Sequence, residues 1–192
     1  MGLYDADMAL LTVRSGVVAW PSELPDDLPV GPWTVAHAKP RQDMRLADDC
    51  RRLGIPSMVF VEFRLRAYGN GLQRSQVPLF PGYVFIPVDR QRHLTLYETG
   101  RTVRLMMPPG DGEMGQDLKD LVAMVRASTG PVQVRPELAV GMMVRIRRGC
   151  LAGCQGRIVR RQGVDRLVVN LPILGHSVET VIPAESVIQA VG

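Results

Sequence analysis

The 192-residue sequence predicts an α+β domain followed by a small, separate all-β module, and three observations carry that prediction. Between residues 33 and 128, alternating and helix-periodic stretches interleave in the order β-α-β-β-α-β-α, the pattern of a mostly antiparallel sheet covered by helices. From residue 142 onward the helical period disappears, and glycines space five short strand-like runs. Between the two textures, Gly130-Pro131 and Pro136 bracket residues 129–136 as a linker.

Residues 1–32 read as a mostly disordered N-terminal tail. Met8 to Val13 is briefly apolar, but Pro21, Pro25, Pro29 and Pro32 interrupt any regular element after it. Trp33 to Ala38 is a short strand closed by Pro40. Arg41 to Gly54 is a helix with Leu46, Cys50 and Leu53 on one face and Ala47 beside them, stopped by Gly54 and Pro56. In Ser57 to Arg66, Val59, Val61, Phe63 and Leu65 alternate with Glu62, Arg64 and Arg66, which predicts a half-buried strand. Gly69-Asn70-Gly71 is hairpin-turn chemistry, because Asn and Gly accept positive φ. A second long strand, Val77 to Val88, returns from it. A short helix over Arg92 to Thr99 and a strand over Val103 to Met107 follow. Asp117 then precedes a helix with Leu118, Leu121, Val122 and Val125 at i, i+3, i+4 and i+7. The domain is bounded at 33–128. The second domain, 137–192, has strands at 142–148, 156–161, 166–171, 178–182 and 186–189, enough to close into an SH3-like barrel.

Charge and composition narrow the function. Of 23 basic residues, 21 are Arg, with Lys39 and Lys119 the exceptions. Residues 33–128 carry 14 basic against 10 acidic residues, and residues 137–192 carry 7 Arg against 4 acids. That surface tolerates nucleic acid without a dense basic run that would prove it. Cys50, Cys150 and Cys154 are an odd number without disulfide or metal-ligand spacing. No run of about 18 apolar residues suggests a membrane span, so a cytoplasmic, monomeric protein with no membrane contact is expected. His37, His93 and His176 fall in three different elements, and no phosphate-cradling Gly-x-x-x-x-Gly-Lys string occurs. The sequence therefore predicts no enzyme, no cofactor and no metal.

The most specific string is PLFPGYVFIPVD at 78–89. Tyr83 and Phe85 share one face by the period of two, with Val84, Ile86 and Val88 on the other. If the aliphatic face meets the helices, the aromatic one is free to anchor a partner; a sheet covered on both faces would make these residues core instead.

This string, with Trp33, Lys39, Pro40 and the following helix, resembles the N-terminal (NGN) domain of NusG-type transcription elongation factors. Its leading Pro78-Leu79-Phe80-Pro81 is similar to the RfaH-type paralogues. The run Gly141-x-x-Val144-x-Ile146, then Gly149-x-x-Ala152-Gly153-x-x-Gly156-x-Ile158, resembles the KOW module that follows the NGN domain. Together these signatures span residues 33–192.

The resemblance implies that Phe80, Tyr83 and Phe85 dock on the clamp helices of the largest RNA polymerase subunit. It implies a gate-loop contact with the second large subunit for His93 and Thr95, with Leu94 standing where a small polar residue is common. It implies that Ile173, Leu174, Gly175 and His176 form the KOW loop that meets Rho or a small-subunit ribosomal protein, although Pro172 departs from the pattern. The expected function is promotion of processive elongation and antitermination by a specialised paralogue. A housekeeping factor working with Rho and the ribosome, or a KOW-type RNA- or ribosome-binding module, are the alternatives. RfaH-type proteins can refold the KOW module into a helical hairpin, but five glycines between 141 and 163, with Pro172 and Pro183, argue against that here.

Overall fold

The computed structural model describes residues 12–29, 31–68, 71–87, 92–108, 113–128, 130–136, 141–161, 164–183 and 186–191. It is an α+β arrangement of two antiparallel sheets and three helices among those residues.

The first sheet has the order β1-β3-β5-β2-β6, with β4 pairing the far half of β3. Its strands are β1 (Thr12–Trp20), β2 (Thr34–Ala38), β3 (Ser57–Tyr68), β4 (Gly71–Pro78), β5 (Tyr83–Ile86) and β6 (Thr102–Met106). The helices are α1 (Asp43–Arg52), α2 (His93–Glu98) and α3 (Glu113–Ala127). One face of the sheet, with Ala36, Val59, Val61, Val84 and Ile86, packs on Leu46 and Cys50 of α1 and Leu96 of α2. The opposite face, with Val35, Met58, Phe60 and Phe85, meets Leu118, Leu121, Val122 and Val125 of α3. These four α3 residues are the stripe that the periodicity predicts, and each is at most 3% exposed. Full burial of such side chains contributes about 1.5–3 kcal/mol apiece, enough to fix the helix on the sheet.

Where the first 32 residues fall within the described part, the expected disorder is not what the structure has. Thr12–Trp20 is a nine-residue strand paired along its length with β3, from Thr12↔Leu65 to Trp20↔Ser57. Leu24 and Leu28 are buried in the core, and Trp33 Nε1 donates to the Pro29 carbonyl at 3.1 Å. Asp26 pairs with Arg126 at the end of α3. The prolines end β1 without preventing it, because β3 offers the segment an edge to pair with. Residues 1–11 lie outside the described part. Gly16 is required by close approach: a Cβ there would stand 2.3 Å from Phe63 Cε2.

The expected strand Val77 to Val88 is two strands. A turn over 79–82 separates β4 from β5, with Gly82 at φ +85° and Tyr83 N–H donating to Phe80 O. Residues 69, 70 and 88 lie outside the described part, yet β3 and β4 pair as a hairpin from Tyr68↔Gly71.

The second sheet has the order β12-β8-β9-β10-β11-β7. The strands β8 (Met142–Arg148), β9 (Gln155–Arg161), β10 (Val164–Leu171), β11 (His176–Val181) and β12 (Val187–Ala190) match the five expected runs within a few residues. A sixth, β7 (Gln133–Pro136), comes from the expected linker and pairs with β11 from His176↔Pro136 to Glu179↔Gln133. Val144, Ile146, Leu151, Leu167, Val169, Leu171 and Val178 fill the interior. This interior is continuous with the α3-facing core of the first sheet, so the two sheets share one apolar cluster. Among the described residues, no helix is long and apolar enough to cross a membrane.

Candidate protein-binding site

The turn 79–82 builds the aromatic site. Proline has no amide hydrogen, so Pro81 donates nothing here. Gly82 takes a positive φ and donates its N–H to Asp43 Oδ2 at 2.9 Å, while its carbonyl accepts from Ala38 N–H at 2.8 Å. Asp43, at the start of α1, is 7% exposed and thus ties helix, β2 and turn together. The anchoring directs Phe80 and Phe85 to the α3 side of the sheet. There Phe60, Phe80 and Phe85 form three edge-to-face pairs, with ring centroids 5.4–6.0 Å apart. Tyr83 is half-buried and stacks on His37 at 5.0 Å.

Tyr83 and Phe85 do share a face, and Val84 and Ile86 face the helices as the alternation implies. That aromatic face is not open, however. Phe80 is 3% exposed and Phe85 is fully buried. The cover is α3 together with the second domain, so the sheet is covered on both faces. His176 stands edge-on to Phe80 with centroids 6.3 Å apart, and Ile173 and Leu174 pack against the shared core. These residues lie on the short 3-10 turn Pro172–Leu174, closed by Gly175 at φ +62°, and on the first residue of β11. His176 Nδ1 lies 2.6 Å from the Leu174 carbonyl, which holds the ring against the turn. Phe80, one of the sequence-predicted polymerase contacts, therefore meets His176 of the sequence-predicted partner loop.

Polar contacts reinforce this closure. Ser128 Oγ and Thr180 Oγ1 lie 3.1 Å apart, and Val132 N–H donates to Ser15 Oγ at 2.9 Å. The Asp120 carboxyl of α3 accepts from the Gln155 backbone and from Gln116. Burial raises its pKa, and the hydrogen bonds and the Arg145 charge offset that only in part. Burial also pushes the neighbouring Cys154 thiol up to about 11, with Asp120 and Cys150 adding to it. Nothing in a one-dimensional reading marks Asp43, Ser15 or Asp120, because each acts on a residue 35 to 117 positions away.

The His93 segment lies elsewhere. Leu96 of α2 faces the other side of the sheet, away from the aromatic cluster. His93 is half-buried, with Nε2 2.9 Å from Thr34 Oγ1, and Thr95 is half-buried beside a shallow depression shared with Asp49 and Arg101. Burial pushes the Asp49 carboxyl up, but Arg101 and Arg52 outweigh it and hold it below its ordinary range. Leu94 is 73% exposed and Tyr97 45%, so α2 offers solvent an apolar edge. Among the described residues, no three or more His, Cys, Asp or Glu side chains group to hold a metal. No protein-family model matches this chain, and a search of curated proteins returns no match.

Proposed function

We propose that this protein is a NusG-type transcription elongation factor whose first domain binds RNA polymerase, and whose KOW-like second domain covers the binding face in the unbound protein. The observation that carries the reading is the contact of Phe80 with His176, flanked by Ile173 and Leu174. It joins the two motifs that the NusG resemblance marks as partner-binding. A protein whose two sticky surfaces occlude each other stays soluble and monomeric, and it exposes both surfaces at once when it opens.

In this reading, polymerase takes the place of the second domain on the Tyr83 strand through the clamp helices of its largest subunit. The α2 edge, with His93, Leu94 and Thr95, reaches the gate loop of the second large subunit. The two surfaces lie on opposite faces of one rigid sheet, which suits a body that bridges the two sides of a cleft. Bridging favours the closed, processive enzyme by the differential affinity for closed over open, and no chemistry by the factor is needed. Apparent affinity for polymerase is reduced by the fraction of factor that is closed. The released loop 173–176 then becomes free to recruit a second factor, with Rho or a ribosomal protein as the expected candidates.

The test is a purified elongation assay with the full chain and its Tyr83→Ala variant. The wild type should shorten pauses, and the variant, which leaves Phe80 and Phe85 in the core, should need at least tenfold more protein for the same effect. Pausing unaffected by the wild type at saturating concentration rejects the function.

A further inference from the structure

The first sheet ends at β1, and a cleft of about 490 Å³ opens beside Gly16 at that edge. Residues of β3, β4 and the last turn of α3 complete its walls. Val17, Phe63 and Leu65 give it an apolar lining, and each is half-buried, so part of each side chain stays within reach of a ligand. The Phe63 ring lies over Gly16, whose missing side chain lets ring and backbone meet. By the strand alternation, Val17 and Arg64 lie on the α3 side of the sheet, and Phe63, Leu65 and Arg74 on the other. One cleft can draw on both sides because, among the described residues, no strand pairs with β1 beyond β3.

The polar part of the lining is cationic. Arg64, Arg74 and Arg126 line the cleft, and no Asp or Glu does. Glu62 Oε2 accepts from Arg64 at 2.6 and 2.9 Å, and Asp26 pairs with Arg126, both carboxylates standing outside the lining. Among the described residues, Arg74 has no carboxylate partner. Three guanidiniums against two carboxylates leave one net positive charge at the cleft. The Arg126 and Asp26 side chains are 45% and 66% exposed, so water and salt screen the pair and an incoming anion can compete for the guanidinium.

We infer that this cleft binds a small aromatic acid, a flat apolar body carrying one carboxylate or sulfonate group. Sites for small organic molecules measure about 300–1,000 Å³ and combine apolar walls with a few polar groups, and the cleft meets both conditions. One net positive charge selects a monoanion, and guanidinium forks match its paired oxygens. Guanidinium planes also stack on aromatic faces, and the Phe63 ring offers a ring-to-ring contact, so a flat body is favoured over an alkyl chain. None of the lining residues belongs to the aromatic turn or to α2, so the inference stands apart from the polymerase reading.

The experiment titrates the full chain with anilinonaphthalene sulfonate, a fluorescent aromatic monoanion, and with phenylnaphthylamine, its uncharged counterpart. The expected result is saturable binding of one sulfonate per chain, at least tenfold tighter than the uncharged probe. Arg74→Gln removes the unpaired cation from an exposed position and should weaken the sulfonate at least fivefold, leaving the uncharged probe unchanged. Leu65→Trp fills the cleft and should weaken both probes. Arg160→Gln, on β9, should change neither. Circular dichroism and melting temperature show whether each variant keeps the fold; should Leu65→Trp unfold, the Arg74→Gln comparison decides alone. Absence of saturable binding, equal affinity for the two probes, or a sulfonate affinity unaltered by Arg74→Gln would each overturn the assignment.

Discussion

Replacing Ile173 and Leu174 together by Asp should open the protein and strengthen polymerase binding. Both side chains are half-buried against the shared core, on a turn whose neighbours Leu171 and Val178 hold the second sheet together from inside. Full burial of Ile or Leu is worth about 1.5–3 kcal/mol, so two half-buried side chains contribute at most about 2 kcal/mol to closure. That corresponds to about a 30-fold shift toward the open form at 1.4 kcal/mol per tenfold. The carboxylates add a desolvation cost to closing in the same direction. If the wild type is predominantly closed, the apparent dissociation constant for core polymerase should fall by up to the same factor, limited by the inverse of the open fraction of the wild type. Opening is read independently by small-angle scattering, as an increase in radius of gyration, and affinity by biolayer interferometry. An opened double variant whose polymerase affinity is unchanged or lower would refute the argument that closure competes with binding.

Three further outcomes follow from single sites. Gly16→Ala should lower the melting temperature, costing about 1–3 kcal/mol, because its Cβ would stand 2.3 Å from the Phe63 ring; adding Phe63→Leu should recover part of the loss. Asp120→Asn should make the protein more stable at neutral pH, measured by urea unfolding at several pH values. The raised pKa of Asp120 means its contribution is present below the ordinary carboxylate range and is lost as pH rises through the raised value, and Asn removes that slope. In native protein at pH 8, iodoacetamide should label Cys150, which is exposed, far faster than Cys50 or Cys154, which are buried with thiols pushed up to about 12 and about 11; equal labelling of all three would contradict the packing.

Much of the α+β architecture is legible in the sequence because its elements carry their own periodicity. The stripe of α3 declares its buried side and the glycine-spaced strands from 142 onward their bounds, whereas the half-buried strand expected over 57–66 is buried on both faces at Met58, Val59, Phe60 and Val61. Two features escape that reading for the same physical reason. β1 stands as a strand because β3 offers it an edge, so the prolines after Trp20 look decisive only when that edge is not considered. Phe85 is covered by α3 and Phe80 also meets His176, about 90 positions further along the chain, and a period of two cannot say whether the second face of a strand meets water or another element. The sequence names the residues of the candidate site one by one. Their mutual contact is not legible there, since it depends on how two separately patterned domains pack.

The central claim is that the Tyr83 strand exchanges the second domain for polymerase. A photo-crosslinking amino acid at position 83 of the full chain tests it most directly, with adducts mapped by mass spectrometry in the free protein and after addition of purified RNA polymerase. The account predicts adducts within the second domain when the protein is alone, replaced by adducts to the largest polymerase subunit in the complex. Persistence of the intramolecular adduct in a demonstrably formed complex, with no adduct to polymerase, would contradict it.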